Sequence, residues 1–202
     1  MTEKIRVGVF GGTFNPPHLA HVNAAEHFAE AAGLDRLLVI PALLPPHKEY
    51  SGTVEPNERI EMCRLAFSHI KNTEVSDIEI ARGGKSYTAI TLSELKSDNN
   101  ELFLLCGTDM FLTLDSWYMP EKIFELATVC YIRRESDTDI TEKIEDRVSL
   151  YKQRYGARIL AVNASAIELS STLIREELKA NKGSQYLPPA VYEYIKGRGL
   201  YV

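Results

Sequence analysis

Between positions 11 and 21 the chain reads Gly-Gly-Thr-Phe-Asn-Pro-Pro-His-Leu-Ala-His. The adjacent glycines, Gly11 and Gly12, let a backbone pass close to a bulky ligand. A helix opening just beyond them points its free amides and the positive end of its dipole at the same spot, which favours an anion. His18 and His21 are three positions apart and share a face once that segment is helical. Two imidazoles at a helix start, beside a glycine turn, suit contact with phosphate oxygens. A second stretch, Ser170-Ser171-Thr172-Leu173-Ile174-Arg175, offers matching chemistry far along the chain. Hydroxyls at a helix start cap its orphan amides and can also donate to phosphate. Arg175, one turn inside, carries a guanidinium that grips phosphate through paired, directional bonds.

The spacing separates several phosphate chemistries. The Gly-x-Gly-x-x-Gly of dinucleotide-binding dehydrogenases is absent, and so is the Gly-Lys-Ser/Thr ending of a Walker loop. A zinc site fits poorly, because His-x-x-His lacks the usual spacing and a third ligand. A plain glycine turn with solvated histidines, and plain capping by Ser170, are the alternatives without function. Lys48, in Pro45-Pro46-His47-Lys48, either neutralises a substrate phosphate or is an ordinary exposed lysine. At Gly107-Thr108-Asp109 a glycine leaving a strand admits a nucleotide and a carboxylate accepts from ribose hydroxyls; the alternative is a turn aspartate. Trp117 and Tyr118 offer flat faces to a ring or to the core. Tyr87-Thr88 reads as a helix start.

The first stretch resembles the signature of the nucleotidyltransferase superfamily, a glycine turn followed by His-x-x-His. With Pro-Pro-His it is closely similar to that of nicotinate-mononucleotide adenylyltransferases. Ser170 to Arg175 resembles that superfamily's Ser-Ser-Thr-x-Ile-Arg signature, with Leu169 where isoleucine is usual. The resemblance runs from Val7 to Tyr201 and includes Leu187 to Ile195 as a structural C-terminal helix. It implies a Rossmann-like sheet and transfer of AMP from ATP to nicotinate mononucleotide, with release of pyrophosphate and no covalent enzyme intermediate. It implies an ATP site built from Gly11, Gly12, Thr13, Phe14, His18, His21, Gly107, Asp109, Arg133, Ser170, Ser171, Thr172 and Arg175. It implies a mononucleotide site built from Thr13, Lys48, Thr88, Trp117 and Tyr118. His18, His21 and Arg175 are the expected catalytic residues. Mg²⁺ is expected to arrive on the ATP phosphates, without a dedicated protein cage. Arg133-Arg134-Glu135 departs from the family's Arg-Pro-Gly, so the local turn there is expected to differ.

These residues need a frame that brings them together. Ile5 to Phe10, Arg36 to Ile40, Thr73 to Ile80, Glu101 to Cys106, Thr128 to Ile132 and Arg158 to Val162 read as strands. Apolar spacing from Leu19 to Ala32 predicts a helix closed by Gly33, with Pro16-Pro17 at its opening. Further helices are predicted at Arg59 to Ile70, Thr88 to Leu95, Ile140 to Tyr155, Thr172 to Ala180 and Pro189 to Lys196. Alternating strands and helices imply βαβ units, a mostly parallel sheet with helices on both faces, and ligand binding beyond the strands' carboxyl ends. One domain is expected over residues 1–202, with a small helical part from about 168.

Bulk properties agree. At 202 residues the chain can bury a core without disulfides. Net charge −5 shows no global basic surface for nucleic acid. Three widely spaced cysteines without a Cys-x-x-Cys pair fit a reduced, cytoplasmic setting. The apolar run Ile5 to Phe10 is too short for a signal-peptide core or a membrane span. A homo-oligomer is compatible with the sequence but not required by it.

Overall fold

The computed structural model describes residues 3–46, 54–134, 140–164, 167 and 169–202, with the backbone alone at 133–134. Six strands, β1 (Ile5–Gly12), β2 (Arg36–Pro41), β3 (Thr73–Val75), β4 (Asn100–Cys106), β5 (Ala127–Arg134) and β6 (Ile159–Ala164), form one sheet in the order β3-β2-β1-β4-β5-β6. Every neighbouring pair is parallel. From β1 the chain steps outward to β2 and β3, then crosses back to start β4 against the other side of β1. With right-handed crossovers, the two directions of travel put their helices on opposite faces. The reversal between β1 and β4 is a topological switch point, where such sheets hold ligands.

The strands alternate their side chains between two cores. One face carries Phe10, Leu37, Val39, Phe103, Leu105 and Cys130, packed under α1 (Leu19–Ala31), α2 (Pro56–Phe67), α8 (Ser171–Lys179) and α9 (Pro189–Arg198). The other carries Val7, Val9, Leu38, Ile40, Leu102, Leu104 and Val129. It packs against α4 (Thr88–Leu95), α5 (Thr108–Leu112), α6 (Pro120–Leu126) and α7 (Thr141–Tyr155). Burial on both faces explains why the central strands are apolar nearly throughout.

Three expectations are corrected. The strand expected at Thr73 to Ile80 ends at Val75, and Ile78–Arg82 is the short helix α3. β3 is an edge strand that pairs with β2 through only three residues, and α3 stops at Gly83, whose φ is +77°. Pro16-Pro17 do not open α1; they precede it, and His18 in extended backbone (φ −140°, ψ 173°) is the cap. The helix expected at Arg59 to Ile70 runs from Pro56 to Phe67, because Pro56 takes the first-turn position where a missing N–H costs least. α5 and α6 have no counterpart in the sequence reading.

Phe28 is fully buried against the sheet from α1. Phe28→Ala should therefore lower the free energy of unfolding by about 3–5 kcal/mol, a lost aromatic plus a residual cavity. Urea unfolding measures it, and a loss below about 1 kcal/mol would contradict this packing.

Candidate active site

The carboxyl ends of the strands open onto a cleft of about 980 Å³ at the switch point. Gly11, Gly12, Thr13, Phe14, His18 and His21 line it from the β1–α1 turn. Thr88, Gly107, Asp109, Trp117 and Tyr118 line it from the β4 side, and Ser170, Ser171, Thr172 and Arg175 from the start of α8. Residues expected from the two distant stretches thus share one concavity. Arg133 lies near the carboxyl end of β5, in register with Asn163; its side chain is outside the described residues. Lys48 and His47 are also outside them.

The β1–α1 turn is shaped by packing. Phe14 has φ +48° and its ring is buried, 5.3 Å from the Phe10 ring and 5.9 Å from that of Phe67. That ring passes so near Gly12 that a Cβ there would meet it at 2.8 Å. Glycine at 12 therefore permits the close approach of Phe14 as much as that of any ligand. Beyond the turn, the His18 and His21 rings stack at 3.7 Å with planes 25° apart. The His18 backbone N–H donates to His21 Nδ1 at 3.2 Å. His21 Nδ1 thus faces the start of the helix as an acceptor.

His18 is 4 % exposed, and its Nδ1 has no hydrogen-bond partner among the described residues. Burial disfavours the imidazolium and pushes its pKa down from 6.5 to about 4. A buried, unsatisfied nitrogen is a position in want of a partner. An anionic oxygen would satisfy it and pull the pKa back up.

The α8 stretch turns toward the same place. Ser170 caps the helix, its Oγ accepting from Leu173 N at 3.2 Å. Ser171 Oγ donates to the Pro16 carbonyl at 3.1 Å, and Arg175 Nη1 to the Asn15 carbonyl at 2.8 Å. Arg175 Nη2 donates to Thr172 Oγ1 at 3.1 Å. Leaving β4, a Cβ on Gly107 would lie 2.8 Å from Asp109 Oδ1, so a glycine leaves the carboxylate its room. Thr108 Oγ1 donates to the Ile132 carbonyl, fixing that exit to β5.

The far end of the cleft is aromatic. Tyr87, the residue before α4, lies against Tyr118 with centroids 4.4 Å apart and planes 32° apart. Tyr118 is exposed and Trp117 half-buried. Ser86 Oγ accepts from Leu43 N at 2.9 Å, and Ser86 N donates to the Leu44 carbonyl at 2.9 Å. The loop leaving β2 is thereby tied to the entrance of α4. Buried Glu79 also lines the cleft, accepting from Thr91 Oγ1 at 2.7 Å.

The sequence reading missed three residues that hold this site. Asn15 Oδ1 accepts from Tyr201 Oη at 2.5 Å, and Arg59 Nη1 donates to the Thr13 carbonyl at 2.8 Å. Asn15 and Tyr201 carry no local signal. Arg59 does, since it lies on the inward face of α2 with Cys63 and Ala66, where a charge is out of place.

Among the described residues no group of three His, Cys, Asp or Glu side chains is placed to hold a metal, and no helix is long and apolar enough to cross a membrane. The cleft joins an anion-seeking end to an aromatic end across the switch point of a parallel sheet. Fold and cleft together are those of a parallel α/β sheet with a concave site at its switch point.

Comparison with known proteins narrows the class. The cytidylyltransferase-like family model matches residues 9–177. A probable nicotinate-nucleotide adenylyltransferase of Trichlorobacter lovleyi is 36% identical, over 98% of this chain and 99% of its own. One from Listeria monocytogenes is 34% identical, over 98% of each chain. The solved Plasmodium falciparum nicotinic acid mononucleotide adenylyltransferase complexed with NaAD shares the fold, with a TM-score of 0.77 at 19% identity over 98% of this chain and 97% of that one. The chain belongs to the nicotinate-nucleotide adenylyltransferase family.

The state of His18 is directly measurable. The unfolded chain takes up this proton near pH 6.5 and the folded chain only near 4, so the unfolded state binds more protons in between. Acidification through that window should therefore destabilise the fold. In an NMR titration the His18 ring should show a midpoint near 4 in the free protein, moving upward when inorganic pyrophosphate is added. A midpoint unmoved by saturating pyrophosphate would contradict an anion at this nitrogen.

Proposed function

We propose that this protein transfers the adenylyl group of ATP to nicotinate mononucleotide, making the dinucleotide precursor of NAD and releasing pyrophosphate. The observation that carries the reading is the buried, unsatisfied Nδ1 of His18 in the same cleft as Arg175. The family relationship supplies the substrate pair.

An oxygen of the mononucleotide 5′-phosphate attacks the α-phosphorus of ATP in line. The new P–O bond forms as the bond to the β-phosphate bridging oxygen breaks, and pyrophosphate leaves with the electron pair. The attacking phosphate is already a nucleophile at neutral pH, so the reaction needs neither a side-chain nucleophile nor a strong general base. What the protein must supply is orientation, which offsets about 7–11 kcal/mol when reactants are well aligned, and stabilisation of charge on the α-phosphate. His18 donates a hydrogen bond from its ring to an α-phosphate oxygen. His21 presents its Nε2–H, and Arg175 exchanges part of its hold on the turn for the phosphates. Gly11, Gly12, Thr13 and Phe14 border the triphosphate, as do Ser170, Ser171 and Thr172. Gly107 and Asp109 receive the ribose, with Arg133 near the adenine. Thr13, Lys48, Thr88, Trp117 and Tyr118 hold the mononucleotide. Mg²⁺ would enter with ATP, held by phosphate oxygens and water, and would neutralise charge on them. Residues 1–202 act as one catalytic unit in a reducing cytoplasmic setting, in keeping with its free buried cysteines.

Pyrophosphate release with ATP and Mg²⁺, comparing nicotinate and nicotinamide mononucleotides, tests this reading. Faster turnover with the nicotinate form is expected, and no release with either would overturn the assignment. His18→Ala should lower kcat by about 10²–10³, the loss typical of one preorganised donor to a developing anion. The same variant should bind ATP nearly as well as the native enzyme. A variant within twofold of native turnover would remove His18 from the mechanism.

A further inference from the structure

Arg59 lies in the first turn of α2 and is 0 % exposed, on a helix whose Ile60, Met62 and Cys63 are also buried. Burying a guanidinium is costly, and an apolar residue of similar length usually serves stability as well or better. Its presence there calls for a role that methionine could not fill. One that the geometry offers is its hydrogen bond to the Thr13 carbonyl, in the turn bordering the cleft.

That bond fixes a peptide plane. The Thr13–Phe14 peptide is trans, and a trans peptide directs its N–H opposite to its carbonyl. With the carbonyl drawn toward α2, the Phe14 N–H points away from α2. Phe14 itself is left-handed at φ +48°, a conformation bulky residues rarely adopt, and its buried ring anchors it there. A left-handed residue in such a turn is half of the backbone arrangement that gathers successive N–H groups around an anion. Other acceptors of the turn are also engaged from within the protein. Arg175 takes the Asn15 carbonyl, Ser171 the Pro16 carbonyl and Tyr201 the Asn15 side chain. With these acceptors engaged, the turn has fewer carbonyls to set against an anion and more of its donors to offer.

We infer that Arg59 is a positioning residue, which by holding the Thr13 carbonyl aims the Phe14 amide at a phosphate oxygen in the cleft. This rests on the proposed reading of the turn as a phosphate site. Arg59 does not touch substrate; it acts through one peptide plane. Its charge, enclosed in the core, adds positive potential behind the turn.

The test uses the full chain with Arg59→Met, which keeps length and removes charge and donors, and Arg59→Lys, which keeps the charge with a single-point donor. Inorganic pyrophosphate is the probe, and the Phe14 amide is followed by ¹H–¹⁵N NMR. In the native protein that amide should shift on saturation with pyrophosphate. In Arg59→Met the shift should vanish and pyrophosphate should bind about 10- to 100-fold more weakly, the loss expected of one charge-assisted hydrogen bond. Its kcat should fall similarly while KM for the mononucleotide stays within about threefold, and Arg59→Lys should recover part of both losses. A folded Arg59→Met that binds pyrophosphate within twofold of native overturns the inference. If Arg59→Met does not fold, the native amide and Arg59→Lys decide: an unmoved Phe14 amide, or a folded lysine variant identical to native, overturns it. If the native enzyme releases no pyrophosphate from ATP, the proposed reaction fails while the binding arm still judges Arg59.

Discussion

The turn between β1 and α1 is held in shape by donors from elsewhere in the chain. Arg59 of α2 takes the Thr13 carbonyl, Ser171 and Arg175 of α8 take the carbonyls of Pro16 and Asn15, and Tyr201 takes the Asn15 side chain. A short loop held so firmly loses little entropy when a ligand arrives, and its donors are aimed beforehand. The core on one face of the sheet places α2, α8 and the C-terminal segment against this loop. α9 is pinned to α2 for the same end, with Tyr194 Oη donating to Glu58 Oε2 at 2.6 Å and Arg198 paired to the same carboxylate.

Around this loop the two histidines differ in environment. Both lie at the start of one helix and stack on each other, yet the buried His18 ring has an unsatisfied nitrogen and the His21 ring accepts from the His18 backbone N–H. Burial holds the His18 pKa down at about 4, so that ring is neutral in the free protein at neutral pH.

Much of this was legible in the residues, and the exceptions share a cause. Gly11 to His21 could be read because its parts are neighbours in sequence and its spacing has a direct geometric meaning. The parallel sheet could be read because its central strands are apolar on both faces. The bonds that hold the turn could not, since Ser171, Arg175 and Tyr201 lie 155, 160 and 186 residues from their partners. The spacing of Arg59 with Cys63 and Ala66 marks a charge on an inward face, but not the carbonyl it bonds to, which lies 46 residues away. The run from Thr73 to Ile80 reads as strand because Val75, Ile78 and Ile80 recur, but only three residues find a partner on that edge. α5 and α6 are too short for periodicity to declare them. They form because β4 and β5 need a crossover over one face.

The proposed reaction requires a triphosphate in the β1–α1 turn, between His18 and Arg175. A crystal structure of the protein with Mg²⁺ and a non-hydrolysable ATP analogue tests this most directly. It should place phosphate oxygens within about 3 Å of a His18 ring nitrogen and of the Arg175 guanidinium. A triphosphate lying elsewhere in the cleft, with the His18 nitrogen still unpartnered, would contradict it.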